Sequence, residues 1–600
     1  MTYSVPLKDM LFTLEHVAGI GAVAQLPGLA DAGIDTAAAV LEECAKFNEG
    51  VIAPLNWPSD QQPSALNNGV VTTSPGFIEA FHAYAQAGWQ GIQHPAEFGG
   101  QGLPKCIGTP CVEMLNAASL SFALCPLLTD GAIEALLTAG TSAQQATFIP
   151  PMIEGRWTGT MNLTEPQAGS DLALVRTRAV GQPDGSYRIF GQKIYITYGE
   201  HDMAENIVHL VLARTPEAPE GVKGISLFIV PKFLVNSDGS LGARNDVWCT
   251  SIEHKLGIKA SPTAVLIYGD GKGDVGEGAV GYVIGEENRG LEYMFVMMNA
   301  ARFAVGMQGI AIADRAYQKA VSYARDRVQS RDVAGSAAPV PIIRHPDVRR
   351  MLMTMRALTE GARSLAYVAA AACDAGHYAA DTETRKRNMA VYEFLVPIVK
   401  GWSTEMSLEV TSLGVQVHGG MGFIEETGAA QFYRDARILT IYEGTTAIQA
   451  NDLIGRKTAR DGGAVARTLI AAIGETLQAL EGRDGDLGAI RNALAAGAQS
   501  LHEVVDFIVA SARSDVRAVF AGSVPYLKLA GVVLGGWQLA RAALAARSLL
   551  DSGHADTDFL AAKIGTARFF ADHVLSQAPA MRHAIVSGAA GALALEDAQF

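Results

Sequence analysis

Between residues 158 and 283 the sequence changes its period, and that change limits the fold more than any other feature. Trp157-Thr-Gly-Thr-Met-Asn-Leu, Tyr187-Arg-Ile-Phe and Ile194-Tyr-Ile-Thr alternate, while residues 207–213 and 225–230 are short, apolar and β-branched. Pro-Asp-Gly and Pro-Glu-Gly turns separate these runs, which is strand and turn chemistry. On either side the period is helical. Residues 36–48, 77–87 and 112–140 precede it, and residues 291–325, 348–375 and 382–415 follow with apolar side chains at i, i+3, i+4 and i+7. An antiparallel β unit set between helical units, an α+β arrangement, is the expected fold class.

At 600 residues the chain exceeds a single core of ~250–300 residues. The expected division is an N-terminal arm (1–40), an α domain (41–157), a central β domain (158–285), a C-terminal α bundle (286–457) and an additional helical domain (458–600). The last reads as alanine-rich helices over 464–480, 487–511, 517–550 and 559–578. Its least polar window, residues 529–540, is shorter than the ~20 apolar residues a span needs. Packing on the main body or a partner subunit is therefore expected, not a membrane. The net charge of −14 argues against nucleic acid as the main partner. Six cysteines show neither a CxxC pair nor a Cys/His metal spacing, so no metal is expected. They read as reduced thiols of a cytoplasmic protein, and the N-terminus shows no secretory pattern. The glycine-rich run 88–102 lacks the Lys-Ser/Thr of a phosphate loop.

The chemistry centres on Ile441-Tyr-Glu-Gly-Thr-Thr446. A carboxylate among apolar residues is drawn toward the higher pKa of a general base. Gly444 permits close backbone approach, and two hydroxyls follow. By spacing alone the simpler reading prevails: a turn in which Thr445 or Thr446 starts a helix.

The surrounding motifs resemble the acyl-CoA dehydrogenase family. They are Leu163-Thr-Glu-Pro-Gln-Ala-Gly-Ser-Asp171, Gly191-Gln-Lys-Ile-Tyr-Ile-Thr197, Gln416-Val-His-Gly-Gly-Met-Gly-Phe423, Arg434-Asp435-Ala436 and Ile441-Tyr-Glu-Gly-Thr445 with Gln449. Their order and spacing agree over roughly residues 45–457. The resemblance implies an FAD cofactor whose flavin ring meets Leu163, Thr164, Gly169, Ser170, Tyr195 and Thr197. Gln416, Gly420 and Thr445 would lie on its adenine side, with Arg327 reaching the pyrophosphate across a dimer interface. Ser170, Arg302, Tyr442 and Gly444 would meet the substrate. A minority of the family carries the base just before the arginine of Met297-Met-Asn-Ala-Ala-Arg-Phe303. Here that position is Ala301, so the resemblance implies Glu443. Met161 and Ser330 replace aromatics found in relatives.

The implied reaction is α,β-dehydrogenation of an acyl-CoA to a trans-2-enoyl-CoA, with electrons passed to an electron-transfer flavoprotein by a homodimer or dimer of dimers. The arm and helical extension resemble a bacterial branch of 3-(methylthio)propanoyl-CoA and broad-range fatty acyl-CoA dehydrogenases, which implies 3-(methylthio)propanoyl-CoA or a medium- to long-chain fatty acyl-CoA as substrate. An acyl-CoA oxidase shares fold and base and differs in delivering electrons to oxygen. A DNA-associated relative would need a basic extension, which residues 458–600 do not supply.

Overall fold

In the computed structural model, which describes residues 3–600, the strand-patterned stretch forms one eight-stranded sheet. Its strands are β1 (Trp157–Asn162), β2 (Arg178–Gly181), β3 (Tyr187–Thr197), β4 (Asn206–Ala213), β5 (Ser226–Pro231), β6 (Val247–Ile252), β7 (Thr263–Tyr268) and β8 (Ala279–Val283). They run in the order β6-β7-β3-β8-β5-β4-β1, with β2 beside β3. The period of two does its work here. Leu210, Leu227 and Ile229 enter one core with Trp157, while Val211, Phe228 and Val230 enter a second core on the opposite face. One pairing departs from the expected antiparallel pattern: β1 and β4 are parallel, with Thr160 opposite His209. Every residue of β4 is buried, as parallel strands covered on both faces are.

The chain forms two compact units. The first holds Phe47–Leu103 and Ala118–Ala304, and the second Tyr3–Lys46, Pro104–Ala117 and Val305–Phe600. In the first, the sheet packs with the helix Leu120–Ala139, capped by Ser119, and with Ser142–Ile153, which Thr141 and Gln144 start with a reciprocal capping box.

The second unit is helical. Pro346–Tyr378 and Thr382–His418 form an antiparallel pair, the latter begun by the Asp381 side chain accepting from the Thr384 N–H at 2.8 Å. The expected helix over 517–550 is two helices, Val516–Ala521 and Ser523–Asp551, parted at Gly522. Ser523–Asp551 lies so close to Thr382–His418 that a Cβ at Gly531 or Gly535 would come within 2.3 or 2.6 Å of the Trp402 ring. The apolar length of the extension also needs correcting. Four described helices, Ser523–Asp551 among them, are long and apolar enough to cross a membrane by length and composition; in that helix 83% of the apolar window is buried within the chain.

A buried charge cluster ties distant segments of this unit together. Arg363 donates to Glu113 at 2.6 Å and to Asp9 at 2.8 Å, and Lys563 donates to Asp9 at 2.6 Å and to Glu360 at 2.7 Å. Each ion is thereby paired and hydrogen-bonded, which offsets the cost of burying it. The arm is thus fastened to both the bundle and the extension. All six cysteines are buried and unbridged.

Candidate active site

Glu443 sits on a strained elbow. The 3-10 turn Arg437–Thr440 ends in a bond from the Ile441 N–H to the Ile438 carbonyl, and the helix Thr446–Ile454 starts five residues after Ile441. Between them the backbone enters the left-handed region twice, at Glu443 (φ 54°) and Gly444 (φ 88°). Glycine takes that region freely. For a glutamate it costs ~1–2 kcal/mol and persists only where the surroundings over-determine it.

Two buried side chains do so. The Lys400 ammonium, fully buried on Thr382–His418, donates to the Leu439 carbonyl at 2.9 Å and to the Gly444 carbonyl at 2.7 Å. The Gln449 amide donates to the carbonyls of Glu443 at 3.2 Å and Gly444 at 3.3 Å. Thr445 is the helix cap, its hydroxyl accepting from the Ile448 N–H at 3.3 Å, and Thr446 donates to Glu405 at 2.5 Å. The simpler reading of this stretch as a capping turn is therefore correct: Thr445 caps the helix that follows the elbow. Tyr442 donates its phenol to Gln308, whose amide donates to Asn116 at 3.0 Å. Burial and the neighbouring Glu443 carboxylate hold that phenol well above its usual pKa, so Tyr442 stays a neutral donor. Glu443 itself is half-buried.

In the same unit Gln416 and Gly420 are exposed at the end of Thr382–His418, where Gly419 (φ 59°) turns the chain. No other atom lies within 4 Å of where a Cβ would stand at Gly419 or Gly420, so this backbone is open to close approach. Beyond it Met421, Phe423 and Ile424 form an exposed apolar shelf, Phe423 being 86% exposed. Arg327 is exposed just past the helix Gly290–Asp326 and donates to Gln329 at 3.2 Å.

The first unit holds the other expected residues. The turn after β1 is fixed from below by a buried pair: Lys193 donates to Glu165 at 2.9 Å and to the Leu163 carbonyl at 3.0 Å. Burial pulls Lys193 down to about 8. Although burial opposes ionisation of Glu165, the Lys193 charge and the donors of Thr177 and Arg176 hold its carboxyl below the usual range. The Thr164 carbonyl accepts from the Ile194 N–H at 2.9 Å, which brings Leu163 and Thr164 beside the strand that carries Tyr195 and Thr197. Along β3 and β7, Ile196 opposes Ala264 but Lys193 opposes Leu266, so two residues of β3 face one of β7. This bulge re-aims a side chain. Tyr195 takes φ 60° and stands 60% exposed. Gly169 and Ser170 are exposed as well, with open space at the Gly169 Cβ position. Arg302 is 4% exposed, so it is not the solvated surface group that a lone helical arginine usually is. Beside it Ala301 is buried and carries no ionisable group.

Within the first unit, an exposed aromatic on a bulge and the open backbone at Gly169 suit a flat ring system. Sequence reading did not single out Lys400, Gln308 or Lys193 as functional. The signal for Lys400 was present: one charge inside Phe394-Leu-Val-Pro-Ile-Val-Lys-Gly-Trp402.

Comparison with known proteins gives a consistent picture. Family models match along the chain: acyl-CoA dehydrogenase N-terminal domain over 33–156, middle domain over 160–270, C-terminal domain over 288–457, and acetyl-CoA dehydrogenase C-terminal like over 469–596. The chain is 53% identical to a 3-methylmercaptopropionyl-CoA dehydrogenase of Ruegeria pomeroyi over 97% of both chains. It is 34% identical to the broad-specificity linear acyl-CoA dehydrogenase FadE5 of Mycobacterium tuberculosis over 100% of both. Its fold matches an acyl-CoA dehydrogenase complexed with FAD from Bacillus anthracis, with a TM-score of 0.74 and 21% identity over 96% of this chain and 91% of the other.

Proposed function

This chain belongs to the acyl-CoA dehydrogenase family and has its acyl-CoA dehydrogenase activity, and on that premise we propose that Glu443 is the base that takes the α-proton of a short acyl-CoA thioester. The observation that carries this reading is the elbow: a carboxylate held at φ 54° by the Lys400 ammonium and the Gln449 amide. Strain of that kind is maintained where a side chain must be aimed.

The cofactor is FAD, which supplies acceptance of the β-hydrogen as hydride when bound. Tyr195, set out by the bulge, and Leu163, Thr164 and Thr197 beside it would hold the ring system, with Gly169 and Ser170 at the adjoining turn. Gln416, Gly420 and the capping Thr445 would take the adenine side, and Arg327 the pyrophosphate. Lys193 and Glu165 keep the Leu163 turn in place from the interior. For the substrate, Arg302 and Ser170 would meet the CoA portion. The Glu443 backbone N–H would donate to the thioester carbonyl, stabilising the enolate that forms as the α-proton leaves. Gly444 leaves room for that approach, and Tyr442, anchored on Gln308, packs behind the base.

The substrate is 3-(methylthio)propanoyl-CoA or a straight acyl chain of similar length; the relative at 53% identity is named for the former. Electrons would pass to an electron-transfer flavoprotein. The exposed shelf of Met421, Phe423 and Ile424 supports a homodimer, pairs of which would make a dimer of dimers, and six unbridged thiols support a cytoplasmic location.

The test is anaerobic flavin bleaching by a panel of thioesters. The fastest reduction is expected with 3-(methylthio)propanoyl-CoA and butanoyl-CoA, falling for palmitoyl-CoA. Fastest bleaching by a long-chain thioester would overturn the substrate assignment. Rapid reoxidation with peroxide release in air would favour an oxidase.

A further inference from the structure

A cavity of about 360 Å³ lies within the second unit, and no residue of the Glu443 elbow lines it. Its walls are apolar and come from four parts of the chain: Val23 of the N-terminal arm, Leu365 of Pro346–Tyr378, Leu395 of Thr382–His418, and Leu469 and Leu534 of the extension. The volume is at the small end of the ~300–1,000 Å³ typical of small-molecule sites.

Two polar groups of the lining lack the partners their chemistry calls for. Gln538 is fully buried; its Oε1 accepts from Arg541 at 2.6 Å, which fixes the amide orientation, and its Nε2 has no hydrogen-bond partner. A buried donor left unmade costs ~1–3 kcal/mol, and most such donors are satisfied. Arg541 is half-buried, with its guanidinium 5.8 Å from the Trp537 ring centroid. Among the described residues it faces no carboxylate, and its one hydrogen-bond acceptor is Gln538. A guanidinium carries five donors in a planar fork that matches a carboxylate. Arg541 therefore brings a guanidinium with spare donors to this apolar cavity, held from the interior by the Gln538 Oε1.

We propose that this cavity binds a short- to medium-chain alkyl carboxylate, with its head group on Arg541 and its chain against Val23, Leu365, Leu395 and Leu469. One arginine balances one negative charge, so the free acid fits where the multiply charged CoA thioester does not. The arm and the extension both contribute walls, so the ligand stabilises their association with the bundle.

The experiment is calorimetric titration of octanoate into the full-length protein with its flavin bound, repeated while a CoA thioester saturates the active site. One saturable site per chain is expected, unaffected by the thioester. Arg541→Leu should weaken it at least about tenfold, the loss of one charged hydrogen bond, and 1-octanol should bind weaker than octanoate by a similar factor. Val368 of Pro346–Tyr378 also lines the cavity, and Val368→Trp, which fills it, should abolish binding while flavin bleaching by acyl-CoA persists. No saturation below about 1 mM, displacement by the thioester, or equal binding of octanoate and octanol would overturn the proposal. The comparison of octanoate with octanol uses the unaltered protein and decides the matter even if both variants misfold.

Discussion

Replacing Lys400 by methionine removes the charge under the Glu443 elbow while keeping most of the side-chain volume. The ammonium makes two hydrogen bonds to carbonyls, at 2.9 and 2.7 Å, and bonds to a charged group contribute ~1.5–3 kcal/mol each. Against that gross loss of ~3–6 kcal/mol stands the desolvation of a fully buried ammonium, several kcal/mol, which methionine does not incur. Global stability should therefore fall by only ~1–2 kcal/mol. The elbow loses more, because Glu443 at φ 54° is held against ~1–2 kcal/mol of strain. Gln449 still grips the same two carbonyls, so the turn loosens without collapsing. Each 1.4 kcal/mol spent re-forming the aimed conformer is tenfold in rate. Lys400→Met should slow the reductive half-reaction about 10- to 100-fold, with flavin content and thermal midpoint close to the parent. Stopped-flow flavin reduction under anaerobic conditions measures it. A half-reaction at the parent rate would refute the idea that Lys400 positions the base.

Gly444→Ala places a Cβ at φ 88°, which should cost ~1–2 kcal/mol and slow flavin reduction about tenfold; thermal melting and the same half-reaction check it. Lys563→Met removes one of the two cationic partners of Asp9 and of Glu360, which keep Arg363 and Arg356, and should destabilise by ~1.5–3 kcal/mol, seen as a lower melting midpoint and faster proteolysis in residues 3–46. His94 offers a pH test in the first unit. Burial disfavours its charge, but Asp130 at 2.9 Å and Glu134 at 3.6 Å outweigh burial and raise it to about 9. A histidine raised on folding stabilises fully below pH 6.5 and loses that contribution as pH climbs through 9. Because Asp130 and Glu134 are a third or more exposed, about 1–2 kcal/mol should disappear between pH 6.5 and 9, and Asp130→Asn should flatten the melting profile in that window.

Helix existence was legible because apolar periodicity over long runs leaves little choice: residues 348–375 and 382–415 lie inside the helices Pro346–Tyr378 and Thr382–His418. Strand orientation was not legible. An alternating strand carries no mark of direction, so the parallel pairing of β1 with β4 emerged only from the fold. The bulge at Tyr195 was hidden for a related reason, since Ile194-Tyr-Ile-Thr alternates whether or not its partner strand keeps step. At the elbow the sequence offered a cap or a base, and the structure shows Thr445 capping while Glu443 occupies the strained position before it. Lys400 was visible as a lone charge in an apolar run, but its role was hidden because its partners are backbone carbonyls more than thirty residues downstream, which leave no trace in side-chain spacing.

The central claim is that Glu443 takes the α-proton. Its most direct test is anaerobic flavin reduction by 3-(methylthio)propanoyl-CoA in the parent protein and in Glu443→Gln. Glutamine keeps the size and the backbone while removing the base, so the account predicts bound flavin with its absorbance intact and a bleaching rate lower by at least about a hundredfold, in line with the 10²–10⁴ of general-base catalysis. Bleaching of both proteins at comparable rates would contradict it and place the base elsewhere.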